Sequence, residues 1–300
     1  MDGTVSHRNS AGFIVHCAIA LLLLPLLAPP APAQNAQQNG VAVWQLPTAK
    51  FAAMFNTVPP TDAARYDRLR QYFTEFGCTG NALIEQPIDK NGHRRNLICT
   101  LAGESGQQVI VTAWYNVRPI FSGGSTGWPE AVMLPILYNA LSAQPRRLTF
   151  VFAAFDGADG EYSYFHNHHS DSAPPITLVV LNALGLSSPH IYMEPPDTMP
   201  AKSRSAASTV LDSAWRIGQL QGYTAGQFYI PLNAFPNPTV SASPPLGDPK
   251  GVPRITVFST WSDTLSLYDF QRDHDFIAFF LGNLDKNFAA PPATTNTAHP

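Results

Sequence analysis

The sequence predicts an α/β fold with a mostly parallel, mixed central sheet and helices on both faces. The first observation is a set of four continuous apolar runs of strand length, which read VIVTAWY, LTFVFAAF, ITLVVLNALGL and RITVFST. Runs rich in β-branched and aromatic residues are typical of strands that are covered on both faces. The second observation is that segments with helical apolar periodicity separate these runs, and strands that alternate with helices favour a parallel sheet.

The N-terminal residues 1–33 have the pattern of a secretory signal peptide. A basic residue precedes an apolar stretch at 18–27, and the small residues that end at Ala33 offer a cleavage site. An uncleaved membrane anchor is the alternative, although the apolar stretch is shorter than the roughly 20 residues that span a bilayer. We therefore expect an exported chain, secreted or periplasmic, with one domain at 34–288 and a disordered tail at 289–300.

The composition argues against nucleic acid as a partner. The formal net charge is −3, charged residues make up 13% of the chain, and no run of Lys or Arg is longer than a pair. Proteins that bind nucleic acid carry a basic stripe or patch, which this sequence lacks. No later segment is apolar enough to cross a membrane, so we expect no membrane span after signal cleavage.

The cysteines predict one disulfide bond. Cys17 lies in the leader, which leaves Cys78 and Cys99 in the mature chain. Two cysteines in an oxidising compartment are expected to pair, and a bridge over this loop would stabilise the fold by on the order of 3 kcal/mol. Two buried thiols are the alternative.

The elements follow one another in the order that this fold requires. A helix begins at Thr61 or Asp62, carries apolar residues at three- and four-residue spacing, and ends at Gly77. The further predictions are strands at 82–85, 96–101 and 109–115, a helix at 129–141, a strand at 148–155, a helix at 161–168, a strand at 176–186, a helix at 202–222, a strand at 254–260 and a helix at 270–284. The Pro/Asn/Gly-rich connection 228–252 is predicted to be a long loop over the strand ends.

Six short segments between Asn96 and Phe288 follow one another in the order of a known family. They read NLICTLAG, VIVTAWYNV, GGSTGWPEAVMLPILYNAL, FVFAAFDGADG, VVLNALGL and SLYDFQRDH. They resemble the strand before the site, the His-x-Asp strand end, the Gly-x-x-Asp-Asn loop, the Phe-x-Gly-Glu-Glu turn, the Asn-Leu-Asp-x-x-Gly strand and the final His-x-x-x-Asp segment of the secreted zinc-dependent aminopeptidases of peptidase clan MH. Glutaminyl cyclases are more distant relatives. The resemblance implies an aminopeptidase-like single domain.

Residue by residue, the resemblance implies a degenerate metal centre. The position of the first zinc-binding His is Trp114, and that of the Asp that orients it is Asn116. The bridging Asp falls on Thr126, the general-base Glu on Ala158, the ligand Glu on Asp159, the ligand Asp on Asn182 and the last His on Asp269. None of the five ligand positions keeps the family's residue, and no imidazole remains among them. The resemblance therefore implies an aminopeptidase homologue without zinc or a general base, which is a non-catalytic pseudopeptidase.

Two enzyme hypotheses stay open beside this one. The oxygen-bearing side chains of Thr126, Asp159, Asn182 and Asp269 are of the kind that Ca²⁺ or Mg²⁺ prefers, which would allow a rebuilt metal site. The simpler explanation is that these side chains hydrogen-bond one another. Alternatively, Asp159 and Asp269 would act as an acid/base pair in a hydrolase.

Two other catalytic patterns are weaker. His166, His168 and His169 with Asp171 are metal-like by composition, but adjacent histidines on a helix do not share a face. A serine hydrolase of the α/β type needs a G-x-S-x-G elbow between strand and helix, and none is present.

Aromatic residues at or near the predicted strand ends suggest a binding cleft. They are Trp114, Tyr115, Trp128, Tyr162, Tyr164, Trp261 and Tyr268. Singly, each is more often a core residue. Together with Asn116, Thr126 and Asn182 they would line a cleft with Asp159 and Asp269 at its floor, which suits a peptide, an amine-bearing ligand or a sugar ring.

Overall fold

The computed structural model describes residues 34–38, 40–116, 127–168, 175–193, 197, 199–224, 251–259 and 264–288. Its strands are β1 (Gln34–Gln38), β2 (Val41–Gln45), β3 (Leu83–Pro87), β4 (Arg95–Leu101), β5 (Gln108–Trp114), β6 (Thr149–Phe155), β7 (Thr177–Asn182), β8 (Pro189–Met193) and β9 (Arg254–Ser259). Its helices are α1 (Thr48–Asn56), α2 (Asp62–Glu75), α3 (Trp128–Leu141), α4 (Gly157–His168), α5 (Ala201–Leu220) and α6 (Leu267–Asn287), with a short 3₁₀ turn at Gly80–Ala82.

The central sheet has seven strands in the order β3-β4-β6-β5-β7-β9-β8. The four inner strands β6, β5, β7 and β9 are parallel to one another, whereas β3 and β4 on one side and β8 on the other pair antiparallel with their neighbours. Antiparallel flanks on a parallel centre are common in sheets of this size. The mixed, mostly parallel sheet that the sequence predicts is confirmed.

The inner strands are buried on both faces, which is why their sequences are continuously apolar rather than alternating. In β5, Val109 and Val111 face a larger core that α2, α3, α5 and α6 cover. Ile110, between them, faces a smaller core in which Tyr164 and Phe165 of α4 pack. The two sets show that helices cover both faces of the sheet.

A hairpin of β1 and β2 precedes the domain's first helix and was not predicted from the sequence. Val41 and Val43 of β2 are 2% and 1% exposed, and β2 packs against α3 and α6. The guanidinium group of Arg146, which is itself buried, donates a hydrogen bond from Nη2 to Ala42 O at 2.9 Å. Strand β2 is therefore part of the core.

The predicted disulfide bond joins Cys78 and Cys99, with an S–S distance of 2.04 Å and a sequence separation of 21. Both residues are 0% exposed. Cys78 follows α2, and Cys99 lies in β4 opposite Leu83 of β3. The bridge therefore ties the end of α2 to β4, the second strand of the sheet.

Besides the hairpin, the predicted helices and strands differ from the structure in the start of α4, in the end of β7, which is Asn182 instead of residue 186, and in the presence of α1 and β8. Thr61 caps α2 as predicted, because its hydroxyl accepts a hydrogen bond from Ala64 N at 3.2 Å. Helix α4 begins at Gly157 instead of residue 161. Helix α1 and strand β8 were not predicted, since both are short and β8 begins with a proline, which is typical of edge strands.

The earlier start of α4 has a tertiary cause. Glycines weaken helical propensity, and two of them stand in the first turn. Buried Asn96 compensates, because its Nδ2 donates to Gly160 O at 2.7 Å and its Oδ1 accepts from Asp156 N at 3.2 Å. These hydrogen bonds hold the helix start against β4.

Some predictions concern residues that lie outside the described ranges. They are the signal peptide at 1–33, the tail at 289–300 and nearly all of the loop at 228–252. Within the part of the chain that the structure describes, no helix combines the length and the apolarity that a membrane crossing needs.

Candidate functional site

The carboxyl ends of the four parallel strands lie side by side at one edge of the sheet, where sites form in open α/β folds. The register places Trp114 of β5 opposite Phe155 of β6, and Asn182 of β7 opposite Phe258 of β9. The β5–β7 register, which pairs Thr112 with Val180, brings Trp114 level with Asn182 two residues further on. The structure thus brings three of the predicted strand ends together.

Trp114 is held by a carboxylate that the sequence analysis did not single out. Its indole Nε1 donates a hydrogen bond to Oε2 of Glu161 at 2.8 Å. Glu161 lies in α4 and is 2% exposed. A tryptophan followed by an acid 47 residues later carries no local signal, so only the folded chain reveals this pair.

Asn116 is fixed against the first residue of α4. Gly157 has a φ of +67°, and a Cβ there would lie 3.0 Å from Nδ2 of Asn116. Arg65, which is 2% exposed, donates from Nη1 to the carbonyl groups of Tyr115 at 3.1 Å and Asn116 at 3.2 Å. Oδ1 of Asn116 is buried and has no hydrogen-bond partner within the described ranges. Asn116 is therefore a rigid polar group at the end of β5.

Asp159 points outward, which corrects its predicted place at the floor of a cleft. Its side chain is 77% exposed, and its Oδ2 pairs with Nη1 of Arg94 at 3.0 Å. Arg94 also pairs through Nε with Asp156, the residue that follows β6, at 3.0 Å. Two residues along a helix are about 200° apart around its axis, so Asp159 and Glu161 face opposite sides of α4. The inward carboxylate of this turn is Glu161.

Three of the predicted cleft aromatics belong to the core. Trp128 is 0% exposed and donates from Nε1 to Met54 O at 3.0 Å. Tyr115 is 2% exposed, and its hydroxyl donates to Arg95 O at 2.7 Å. Tyr164 is 1% exposed. All three rings are buried, and Trp128 and Tyr115 donate their hydrogen bonds inside the protein. They are therefore corrected from cleft residues to core residues. Thr126 and Trp261 lie outside the described ranges.

The start of α6 lies beside the turn that follows β7, because Ser266 N donates a hydrogen bond to Gly185 O at 2.7 Å. Ser266 caps the helix by accepting from Asp269 N at 3.3 Å. The side chain of Asp269 is 20% exposed and lies 3.5 Å from Nη1 of Arg272. The Arg272 guanidinium lies over the ring of Tyr268 at 5.6 Å, and Tyr268 is 68% exposed. An exposed aromatic ring, a cation and a carboxylate thus meet at this helix start.

Asp273, and not Asp269, contacts the end of the last parallel strand. Strand β9 ends at Ser259, and Asp269 follows ten residues later in α6. The Ser259 hydroxyl lies 2.9 Å from Oδ2 of Asp273, which is 0% exposed. The helical spacing indicates that Asp273 is buried, because it falls three residues after Phe270 and four before Ile277 on the apolar face of the helix.

The sequence matches no protein-family model and no curated protein. Solved structures do match. The Porphyromonas gingivalis glutaminyl cyclase is 18% identical with a TM-score of 0.52, and the match covers 80% of this chain and 95% of that one. A leucine aminopeptidase precursor from Bacteroides thetaiotaomicron is 14% identical with a TM-score of 0.52, covering 79% and 94%. A Zn-dependent exopeptidase from Parabacteroides distasonis is 15% identical with a TM-score of 0.50, covering 81% and 96%.

The chain has an aminopeptidase-like fold. At these identities the likeness concerns the fold alone, and it agrees with the fold that the resemblance implied. Within the described ranges, no group of three or more His, Cys, Asp or Glu side chains is placed to hold a metal ion. Trp114, at the position that the resemblance assigns to the first zinc-binding His, presents a hydrogen-bond donor and no lone pair.

Proposed function

We propose that this protein is an exported aminopeptidase-like protein that has lost its zinc centre and acts as a non-catalytic binding module. The observation that carries the proposal is the hydrogen bond from Trp114 Nε1 to the buried carboxylate of Glu161 at 2.8 Å. At the strand end where the resemblance expects an imidazole, an indole stands, and an inward carboxylate is bound to its N–H.

The chemistry of the neighbouring positions supports the same conclusion. An indole nitrogen carries a hydrogen and has no lone pair to give to a metal. Ala158 has no group that could accept a proton, and the loss of a general base alone costs about 10²- to 10⁴-fold in rate. Asp159, the remaining acid of that turn, is bound to Arg94 on the surface. This placement argues against the Asp159/Asp269 acid/base pair.

The ligand that we propose is a peptide or another amine-bearing molecule, bound at the start of α6. Tyr268 supplies an exposed ring for an apolar or planar group, and the partly exposed carboxylate of Asp269 supplies a partner for an ammonium group. Export is supported by the disulfide bond, since such bonds persist in oxidising compartments.

The decisive experiment compares metal content with activity. The protein from Gln34 onward, purified without a histidine tag and dialysed against trace zinc, magnesium and calcium, is expected to retain no stoichiometric metal. It is also expected not to cleave aminoacyl-p-nitroanilides or cyclise glutaminyl peptides. Stoichiometric metal together with turnover would overturn the proposal. If turnover appeared and fell in both Asp159→Ala and Asp269→Ala, the acid/base pair would be the mechanism.

Binding is tested separately with an immobilised panel of short peptides that have free or acetylated N-termini. We expect retention of free N-termini, a loss of about tenfold in Tyr268→Ala or Asp269→Asn, and no change in Asp212→Asn, a control at an exposed acid on α5. Unchanged binding of every peptide in Tyr268→Ala and in Trp114→Ala would remove this edge of the sheet as the binding site.

A further inference from the structure

Asp273 is a buried carboxyl group at the junction of β7, β9 and α6. Its Oδ2 accepts a hydrogen bond from Gly185 N at 2.7 Å and lies 2.9 Å from Oγ of Ser259. Its Oδ1 is buried and has no hydrogen-bond partner among the residues that the structure describes. Gly185 follows β7 and Ser259 ends β9, so one carboxyl group of α6 connects two strand ends.

The turn that Asp273 holds is tightly enclosed. Gly185 has a φ of +80°, and a Cβ there would lie 3.3 Å from Cβ of Phe270. Its carbonyl group accepts from Ser266 N at 2.7 Å, and the carbonyl group of Ala183 accepts from Ser259 N at 3.1 Å. This turn directly follows Asn182, and Ser266 caps α6. The positions of the β7 end and of the start of α6, which both belong to the candidate site, therefore depend on this turn.

Burial and incomplete hydrogen bonding favour a neutral Asp273. Oδ2 accepts hydrogen bonds from Gly185 N and from the Ser259 hydroxyl, whose oxygen also lies 3.2 Å from the carbonyl oxygen of Ser187. Oδ1 is buried and accepts no hydrogen bond from a described residue. An ionised Asp273 would therefore bury a charged oxygen without a donor among the described residues, which is costly.

The surrounding charges agree with a neutral Asp273. Asp269 and Arg272 of its own helix and Tyr223, which follows α5, interact electrostatically with Asp273, and His190 of β8 interacts with Arg272. Burial raises the pKa of Asp273 well above its usual range. Its two hydrogen bonds and the charge of Arg272 lower this pKa, whereas the charge of Asp269 raises it further.

We propose that Asp273 is a proton-dependent tether that fixes the turn at 183–185 to α6. In its neutral form it joins β7, β9 and α6, and loss of its proton loosens the turn and with it the candidate site. The tether is a property of the fold and holds whether or not the site binds a peptide. It makes this edge of the sheet more rigid in acid than in base.

The expected pH dependence follows from linkage. An acid whose pKa is raised on folding contributes stability that is fully present below the unfolded pKa of about 3.9. That contribution is lost as the pH rises through the folded pKa. Once the intrinsic pH dependence of exchange is removed, the protection of the Gly185 amide should fall about tenfold for each pH unit of this titration.

The test combines carboxyl-carbon NMR with hydrogen exchange over a pH series from about 4 to 8. We expect Asp273 to remain protonated when exposed acids have ionised. Protection at Gly185 should fall between the unfolded and the folded pKa of Asp273 and level off above the folded pKa. Asp273→Asn keeps an acceptor and cannot ionise, so the pH-dependent fall should disappear. Asp212→Asn, at an exposed acid on α5, should behave like the parent protein.

Two results would overturn the tether. One is a carboxyl resonance of Asp273 that titrates with the exposed acids. The other is a fall in Gly185 protection that persists unchanged in Asp273→Asn. The NMR titration uses the unaltered chain, so the proposal can be rejected even if the Asn variant does not fold.

Discussion

The direction of single side chains decides what the sheet edge can do. Ala158, Asp159 and Glu161 stand within four residues, yet only Glu161 turns inward, where it accepts the indole N–H of Trp114. Asp159 pairs with Arg94 outside. A rotation of α4 by two residues would exchange these roles, because two residues turn the helix by about 200°.

The Trp114–Glu161 hydrogen bond should contribute measurably to stability. Trp114→Phe keeps an aromatic ring but removes the donor, and a buried carboxylate that loses a donor costs about 1–3 kcal/mol. We expect this fall in the free energy of unfolding by urea. Glu161→Gln keeps an acceptor and should cost less.

Tyr162→Phe is the matched control for this hydrogen bond, since Tyr162 is a neighbouring aromatic residue that is 47% exposed. Its free energy of unfolding should lie within about 0.5 kcal/mol of the parent protein. Equal stability of Trp114→Phe and Tyr162→Phe would show that the indole hydrogen bond does not contribute.

At the scale of elements, close approaches without side chains fix how the pieces pack. A Cβ on Gly160 of α4 would lie 2.3 Å from Oδ1 of Asn96, and a Cβ on Gly282 of α6 would lie 2.2 Å from Cγ1 of Val41. Both glycines stand in helices, where alanine is otherwise preferred by about 1 kcal/mol. Their role is to let β4 and β2 approach the helix backbone.

Gly282→Ala should therefore destabilise the protein in spite of its better helical propensity. Overpacking costs about 1–3 kcal/mol, which exceeds the gain of up to about 1 kcal/mol in propensity. The urea midpoint should fall, and the double variant Gly282→Ala/Val41→Ala should recover part of the overpacking term. Gly106→Ala, at an exposed position with open space, should leave the midpoint nearly unchanged. A rise in the midpoint of Gly282→Ala would contradict the packing of β2 on α6.

At the scale of the whole molecule, stability depends on contacts between distant parts of the chain. Asp285 of α6 accepts hydrogen bonds from Arg147 N at 2.8 Å and Leu148 N at 2.7 Å, just before β6. The Cys78–Cys99 bridge ties α2 to β4. Together these connections hold the helices of the larger face to the sheet.

The disulfide bond should supply a large share of the net stability. With a sequence separation of 21 between the cysteines, the chain-entropy estimate is about 3 kcal/mol. Equilibrium urea unfolding with and without reductant should differ by this amount. A Cys78→Ala/Cys99→Ala variant should be insensitive to reductant. If the parent protein unfolds at the same urea concentration under both conditions, the bridge is not a stabilising link.

The sequence by itself determined the inner strands, the caps and bounds of α2, and the pairing of the two cysteines. These features follow from local patterns, because burial on both faces makes a strand continuously apolar and a helix repeats at three and four residues. It did not determine α1, β1, β2 and β8, which are short segments whose conformations depend on the surfaces that they cover or extend.

Only the tertiary structure decided the chemistry of the sheet edge. The residues Glu161 and Asp273 matter because they meet Trp114, Gly185 and Ser259, which lie 14 to 88 residues away in sequence. No periodicity records such contacts. The sequence predicted a cleft at these strand ends. Side-chain direction and burial instead place core residues, a surface ion pair and a buried acid there.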